Sequence, residues 1–321
     1  MSGHVLALSG GVGGAKLVHG LSLALAPGEL TAVVNTGDDF RHLGLAVCPD
    51  IDSVVYALAG LSDPVRGWGR ASETWTFMAA LKSVGGEDWF QLGDGDLAMH
   101  VQRTRLLIQG CTLTEATGHI CRALGLQVQV LPMSDDTVRT RVLTDEGWLD
   151  FQDYFVRRQC RPAVREFEFA GAAQARAQPE VLAALRRPDL RAVVICPSNP
   201  FVSVEPILAV PGMREVMERC AAPVVAVTPI IGGKAVKGPV AKMMRELGLE
   251  VNGESVARRY AGLIDAFVVD EGDARTPVDA VARGGLAMSV VRAPTLMTDR
   301  ADRVRLAGAV LAVADALSGF K

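Results

Sequence analysis

The chain has 321 residues, 49% apolar but only 5% aromatic, with a formal net charge of −3. That charge gives no broad attraction to nucleic acid. No run of about eighteen apolar residues suggests a membrane span. The first nine residues lack the basic flank and cleavage pattern of a signal peptide, so a cytoplasmic location is expected. The six cysteines form no CxxC pair, and the five histidines form no HExxH; a disulfide framework and a zinc centre are therefore not indicated. The absence of a GxSxG elbow argues against a hydrolase triad.

Short apolar runs alternate with helical patterns along the chain. Strands are predicted at 5–8, 31–34, 128–131, 193–196, 224–227, 266–269 and 289–291. Helices are predicted at 15–25, 53–59, 73–84, 97–109, 113–124, 181–187, 212–220, 239–247, 255–263 and 301–316. The pattern predicts an α/β fold: a doubly wound, mostly parallel, Rossmann-like sheet in one domain spanning 1–321. Residues 50–124 read as almost entirely helical and are expected to form a cap or insertion. Residues 139–144 and 148–154 alternate around Asp145-Glu146-Gly147 and predict a β-hairpin. The Arg/Pro/Ala-rich stretch 161–187 reads as a loose surface connection.

Five predicted strands end in polar or glycine-rich loops, where open α/β sheets bind ligands. The first is Ser9-Gly10-Gly11-Val12-Gly13-Gly14. Its glycines and the helix start behind them suit a phosphate or diphosphate, or else pack strand against helix. The spacing fits neither GxGxxG nor a Walker loop. Gly10, Gly11, Gly13, Gly14, Asn35, Ser198, Asn199 and Lys234 are the phosphate- and nucleotide-binding candidates. Lys234, Lys237 and Lys242 surround a predicted helix start at Gly238-Pro239, where cations oppose the helix dipole unless an anion is present. Asp38 and Asp39, or Asp135 and Asp136, are candidates for a magnesium ion beside a diphosphate; each pair also makes good turn chemistry. Asp50 and Asp52 either cap a helix or meet a substrate hydroxyl, accepting its hydrogen bond or its proton. The run 152–158 mixes aromatic and cationic side chains and reads as an edge strand or part of the binding face.

LSGGVGGAKL (8–17), VVNTGDDFRHLGL (33–45), CPDIDSVVYALAG (48–60), WGRASETW (68–75), LGDGDLAMH (92–100), LPMSDD (131–136), FQDYFVRR (151–158), CPSNPFVSVEPIL (196–208) and TPIIGGKAVKGPVAKMM (228–244) together resemble the 2-phospho-L-lactate transferase family. The resemblance implies transfer of a phospho-2-hydroxy-acid moiety from a GDP-linked donor. The acceptor would be the ribityl hydroxyl of 7,8-didemethyl-8-hydroxy-5-deazariboflavin, with release of GMP and help from magnesium, in coenzyme F-420 biosynthesis. It also implies a homodimer. Asp52 matches the family's deazaflavin-contacting aspartate and Gln91 its second acceptor position, which is usually basic. The family's Gly-Asp-Arg-Asp motif has Gly95 in place of arginine here. A related glycine-loop family that binds nucleotide sugars without catalysis is the alternative. An NAD-dependent dehydrogenase is disfavoured by the glycine spacing.

Overall fold

The computed structural model describes residues 2–236, 238–273, 282–285 and 287–319; Lys237 lies outside them. The central sheet has seven strands: β1 (His4–Ser9), β2 (Leu30–Val34), β3 (Gln129–Pro132), β4 (Leu190–Ile195), β5 (Val224–Val227), β6 (Ala266–Asp270) and β7 (Ser289–Ala293). Every neighbouring pair is parallel, and the order is β3-β2-β1-β4-β5-β6-β7. Each predicted strand of the sheet is present. Alternate residues feed two cores: Val5 and Ala7 face one side of β1, Leu6 and Leu8 the other. Burial on both faces explains runs that are continuously apolar rather than alternating.

From β1 the chain winds outward to β2 and β3, then returns to β4 on the other flank. That reversal leaves a crevice beyond the carboxyl ends of β1 and β4, the usual ligand position in such sheets. Helix α1 (Gly11–Ala24) begins directly at this crevice and buries Leu17, Val18 and Leu21 against the sheet. Helix α2 (Pro49–Ala59) starts with proline at its first turn, followed by Asp50 and Asp52, and stops at left-handed Gly60. Helices α3 (Thr76–Ser83), α4 (Asp94–Ile108) and α5 (Leu113–Ala123) follow. A Thr112/Glu115 capping box starts α5.

Three expectations need correction. The segment 50–124 is not continuously helical: turns and irregular backbone occupy 60–75 and 84–93, where Gly60, Gly67, Gly69 and Gly85 take positive φ. The second hairpin arm is Gly147–Asp150 rather than one reaching Tyr154. Phe151 and Tyr154 instead turn inward from a helical stretch that includes the π-helix Asp153–Arg157, because both rings are buried in the core. The supposedly loose stretch contains a strand, Val164–Ala170, paired antiparallel with Arg139–Thr144. Phe167 and Phe169 pack on the core while Glu166 and Glu168 are exposed, a period-two pattern masked by the surrounding Arg, Pro and Ala.

The long helix Arg300–Ser318 lies over α1, with Leu306, Ala307 and Val310 fully buried. A Cβ on Gly20 would overlap the backbone carbonyl of Arg303. Gly20→Ala is therefore expected to destabilise the protein by about 1–3 kcal/mol, the usual cost of overpacking. Thermal unfolding measures this, and an unchanged midpoint would mean the two helices part freely.

Candidate active site

A cleft of about 690 Å³ lies at the reversal point. Gly10, Gly11, Gly13, Asp38, Asp50, Asp52, Gln91, Ser198 and Asn199 all line it, so loops from separate strands converge as the sequence predicts. The β1–α1 turn is held from both sides. The Gly10 amide donates to Ser198 Oγ (3.0 Å), and the Gly11 amide to Asp50 Oδ1 (2.7 Å). A Cβ on Gly10 would come within 2.6 Å of Asp50 Oδ2, and one on Gly13 within 2.7 Å of the Pro197 carbonyl. A Cβ on Gly14 would overlap the hydroxyls of Ser9 and Ser198. Packing therefore demands these three glycines. Gly11 differs: its φ is +65° and its missing side chain faces open space. The helix has no side-chain cap from its own N-cap residue and no acidic residue in its first turn; Asp50 takes the Gly11 amide, and the first-turn amides beyond it suit an anion.

Asn35 is fully buried and works beneath the cleft rather than in its lining. Its amide donates to Asp50 Oδ2 (2.9 Å), Asp38 Oδ1 (3.2 Å) and the Val202 carbonyl (3.1 Å). Burial raises the pKa of both carboxyls, Asp50 to about 6 and Asp38 well above its ordinary value; Asp50 raises Asp38 further. Two buried carboxylates that repel one another and offer only oxygen fit a hard divalent cation.

A second group looks superficially like a metal site. Ligand atoms of Asp52, Asp96 and His100 lie within 4.8 Å of one another. Their surroundings argue otherwise, because the buried Arg103 guanidinium already forks onto both oxygens of Asp52. Arg103 Nη1 also lies 3.2 Å from His100 Nδ1. A cation there would face a fixed positive charge, so this set does not fit a metal. Burial raises the pKa of Asp52, and the Arg103 charge opposes that rise.

Other predicted residues fall elsewhere. Asp39 is buried and lies outside the cleft lining; burial pushes its pKa up to about 7. Asp135 accepts from the amide and hydroxyl of Thr114 (both 2.8 Å) and so secures the start of α5. Asp136 pairs with Arg176 at 3.1 Å. Neither lines the cleft. Lys234 is exposed in a short two-stranded ladder outside the lining, and Lys242 pairs with Glu246. Gln91 is exposed at the rim, its side chain donating to the Asp88 carbonyl (2.6 Å).

The structure adds residues that sequence reading missed. Asp96, His100 and Arg103 share one face of α4; their i, i+4, i+7 spacing was the available signal. Trp68, Trp89, Phe90, Phe151 and Phe155 line the cleft. Phe40 meets Phe90 edge-on with centroids 4.8 Å apart, and Arg157 sits 5.8 Å over Trp89. Lys16, which replaces the third glycine of the dinucleotide pattern, also lines the cleft and donates to the Met297 carbonyl (2.6 Å).

Two outcomes follow from the buried charges. Asp39 has an ordinary pKa of 3.8 and a folded pKa of about 7, so the folded state binds the extra proton between these values. Stability of the metal-free protein should fall as pH rises from about 4 to about 7, and Asp39→Asn should flatten that fall in urea unfolding across pH. An unaltered slope would mean Asp39 is ionised throughout. Asp52→Ala should cost about 3–5 kcal/mol because it strands Arg103 as an unpaired buried charge. Asp52→Asn, which keeps an acceptor oxygen, should cost less in the same measurement.

Comparison with known proteins gives this geometry its family. Residues 5–291 match the family model described as 2-phospho-L-lactate transferase CofD. A phosphoenolpyruvate transferase of Kitasatospora aureofaciens is 42% identical over 318 residues, covering 97% of this chain and 98% of that protein. A 2-phospho-L-lactate transferase of Methanosarcina mazei is 38% identical over 307 residues, covering 96% and 99%. A solved structure, a member of the UPF0052 family from Bacillus halodurans, shares the fold with a TM-score of 0.61 at 17% identity, covering 97% of this chain and 99% of that one. Matches this long and this close establish descent: the chain belongs to the 2-phospho-L-lactate transferase family.

Proposed function

We propose that this protein transfers the phospholactyl or phosphoenolpyruvyl part of a GDP-linked donor to the terminal ribityl hydroxyl of 7,8-didemethyl-8-hydroxy-5-deazariboflavin. The observation that carries this reading is the meeting, in one cleft, of a helix start behind a glycine turn, with no acidic residue in its own first turn, and a set of aromatic rings. The helix start suits the donor diphosphate. The rings Trp68, Trp89, Phe90 and Phe155 suit the flat tricyclic acceptor.

In chemical terms, the acceptor oxygen forms a new bond to the phosphorus that carries the acid. The bond to GMP breaks, and GMP leaves with the electron pair. Gly10, Gly11, Gly13, Ser198 and Asn199 hold the donor phosphates, with Asn35 fixing the carboxylates beside them. Asp52, kept in place by Arg103, accepts the hydrogen bond of the attacking hydroxyl and then its proton; Gln91 meets the acceptor at the rim. Asp38 and Asp50 would hold magnesium, which would supply positive charge against the diphosphate. Positioning and charge neutralisation are the main demands of phosphoryl transfer, and these residues supply both.

The chain works as one α/β unit, with 50–124 capping the crevice. Val101 and Ile108, seven residues apart on α4, are 48% and 77% exposed, which suits a partner copy in a homodimer. Cysteines without disulfide partners suit the reducing cytoplasm. Among the described residues, no helix is long and apolar enough to cross a membrane.

The test is incubation with the deazaflavin, each GDP-linked donor in turn and magnesium, with mass spectrometry of product and GMP. Asp52→Asn should lower kcat by about a hundredfold or more, the usual loss of a positioned base. Magnesium should raise the melting temperature of the wild type but not of Asp38→Asn. Binding of UDP-N-acetylglucosamine with no turnover of any deazaflavin would overturn the reading.

A further inference from the structure

His100 is 1% exposed and occupies the centre of the α4 charge network. Its tautomer follows from its neighbours. A guanidinium only donates, so His100 Nδ1, 3.2 Å from Arg103 Nη1, must accept. The 3.6 Å separation from Asp52 Oδ2 is too long for Nδ1 to donate there instead. The ring proton is thus on Nε2, which lies 3.2 Å from Asp96 Oδ2. That buried N–H makes no well-aligned hydrogen bond, and the carboxylate beside it is that of Asp96.

Asp96 is gripped from behind on its other oxygen too, by the Tyr56 hydroxyl. Burial works against its charge, but the His100 and Tyr56 side chains hold its pKa below the ordinary value. Its side chain keeps 16% exposure and lines the cleft, as does Asp52. The cleft therefore receives two carboxylates from one buried scaffold, with ligand oxygens no more than 4.8 Å apart. Arg103 keeps cations away from this pair. Each carboxylate still has lone pairs to spare. The complement of such a pair is a neutral molecule with two neighbouring O–H donors.

We infer that Asp52 and Asp96 form a clamp for a polyhydroxyl chain, taking one hydrogen bond from each of two neighbouring hydroxyls, and that His100 is the positioning residue that sets Asp96. This rests on the proposed acceptor, whose ribityl chain is such a polyol. It gives the site a means to select the chain as well as the ring. His100 does not touch the substrate; it acts through Asp96.

The test uses the full chain and fluorescence titration with two probes: the ribityl deazaflavin and the same ring bearing a methyl group in place of the chain. Asp96→Asn should raise Kd for the ribityl probe by about tenfold or more, as expected for a lost hydrogen bond to a charged group, and leave the methyl probe unchanged. His100→Phe should reproduce that selective loss. His100→Gln, whose amide can donate from the Nε2 position, should restore most of the binding. Melting temperatures of each variant separate misfolding from loss of the clamp. If Asp96→Asn weakens both probes equally or neither, the clamp is wrong while the acceptor assignment stands. If the wild type binds neither probe, the acceptor assignment fails and the clamp falls with it.

Discussion

Four aspartates, Asp38, Asp39, Asp50 and Asp52, are each less than a tenth exposed at the ends of β2 and the start of α2. Carboxylates so crowded and so dry would repel one another and shed their charge unless something opposes that tendency. The opposing groups are the Asn35 amide, the Gly11 amide and the Arg103 guanidinium, each drawn from a different element. The shape of the cleft depends on these three donors. Burial still outweighs them: it holds Asp38 and Asp50 above the ordinary carboxyl range, and it pushes Asp39 up to about 7 against the Cys48 hydrogen bond and the Arg139 and Arg103 charges.

The donors differ in kind, and this separates two roles. Asn35 is neutral and shares its protons between Asp38 and Asp50, so that pair keeps an appetite for a cation. Arg103 brings a full charge to Asp52, so that carboxylate is already satisfied and is free to meet neutral donors. Under the proposed function, these two neighbouring acidic clusters would serve a metal-like and a hydroxyl-like partner respectively. The distinction comes from one helix, because α4 supplies Arg103.

Much of the frame was legible from the chain alone. Buried parallel strands leave apolar runs that stand out, and the polar loops after them mark the crevice by topology. The cleft-facing loops at Gly11, Asp38 and Ser198 were found this way. Asp135 and Asp136 could not be told from Asp38 and Asp39, because an Asp pair after a strand looks the same whether it faces a cleft or caps a neighbouring helix. The glycines misled differently: Gly10, Gly13 and Gly14 are fixed by packing, and only Gly11 is free of it. The Phe40–His42 and Leu45–Val47 hairpin went unseen because its turn places Leu43 as well as Gly44 at positive φ, an uncommon choice. The aromatic wall is assembled from residues near 40, 68, 90 and 155, and no local pattern links them.

Helix α1 presents the glycine turn at one end, yet its outer side is covered by residues made much later, those of Arg300–Ser318. While the chain is being synthesised, His19, Gly20 and their neighbours would wait without that cover until those later residues emerge. An emerging polypeptide in this condition offers a greasy surface to chaperones and to other nascent chains. Helix α1, and with it the glycine turn at its start, is therefore fully packed only once that later helix has docked.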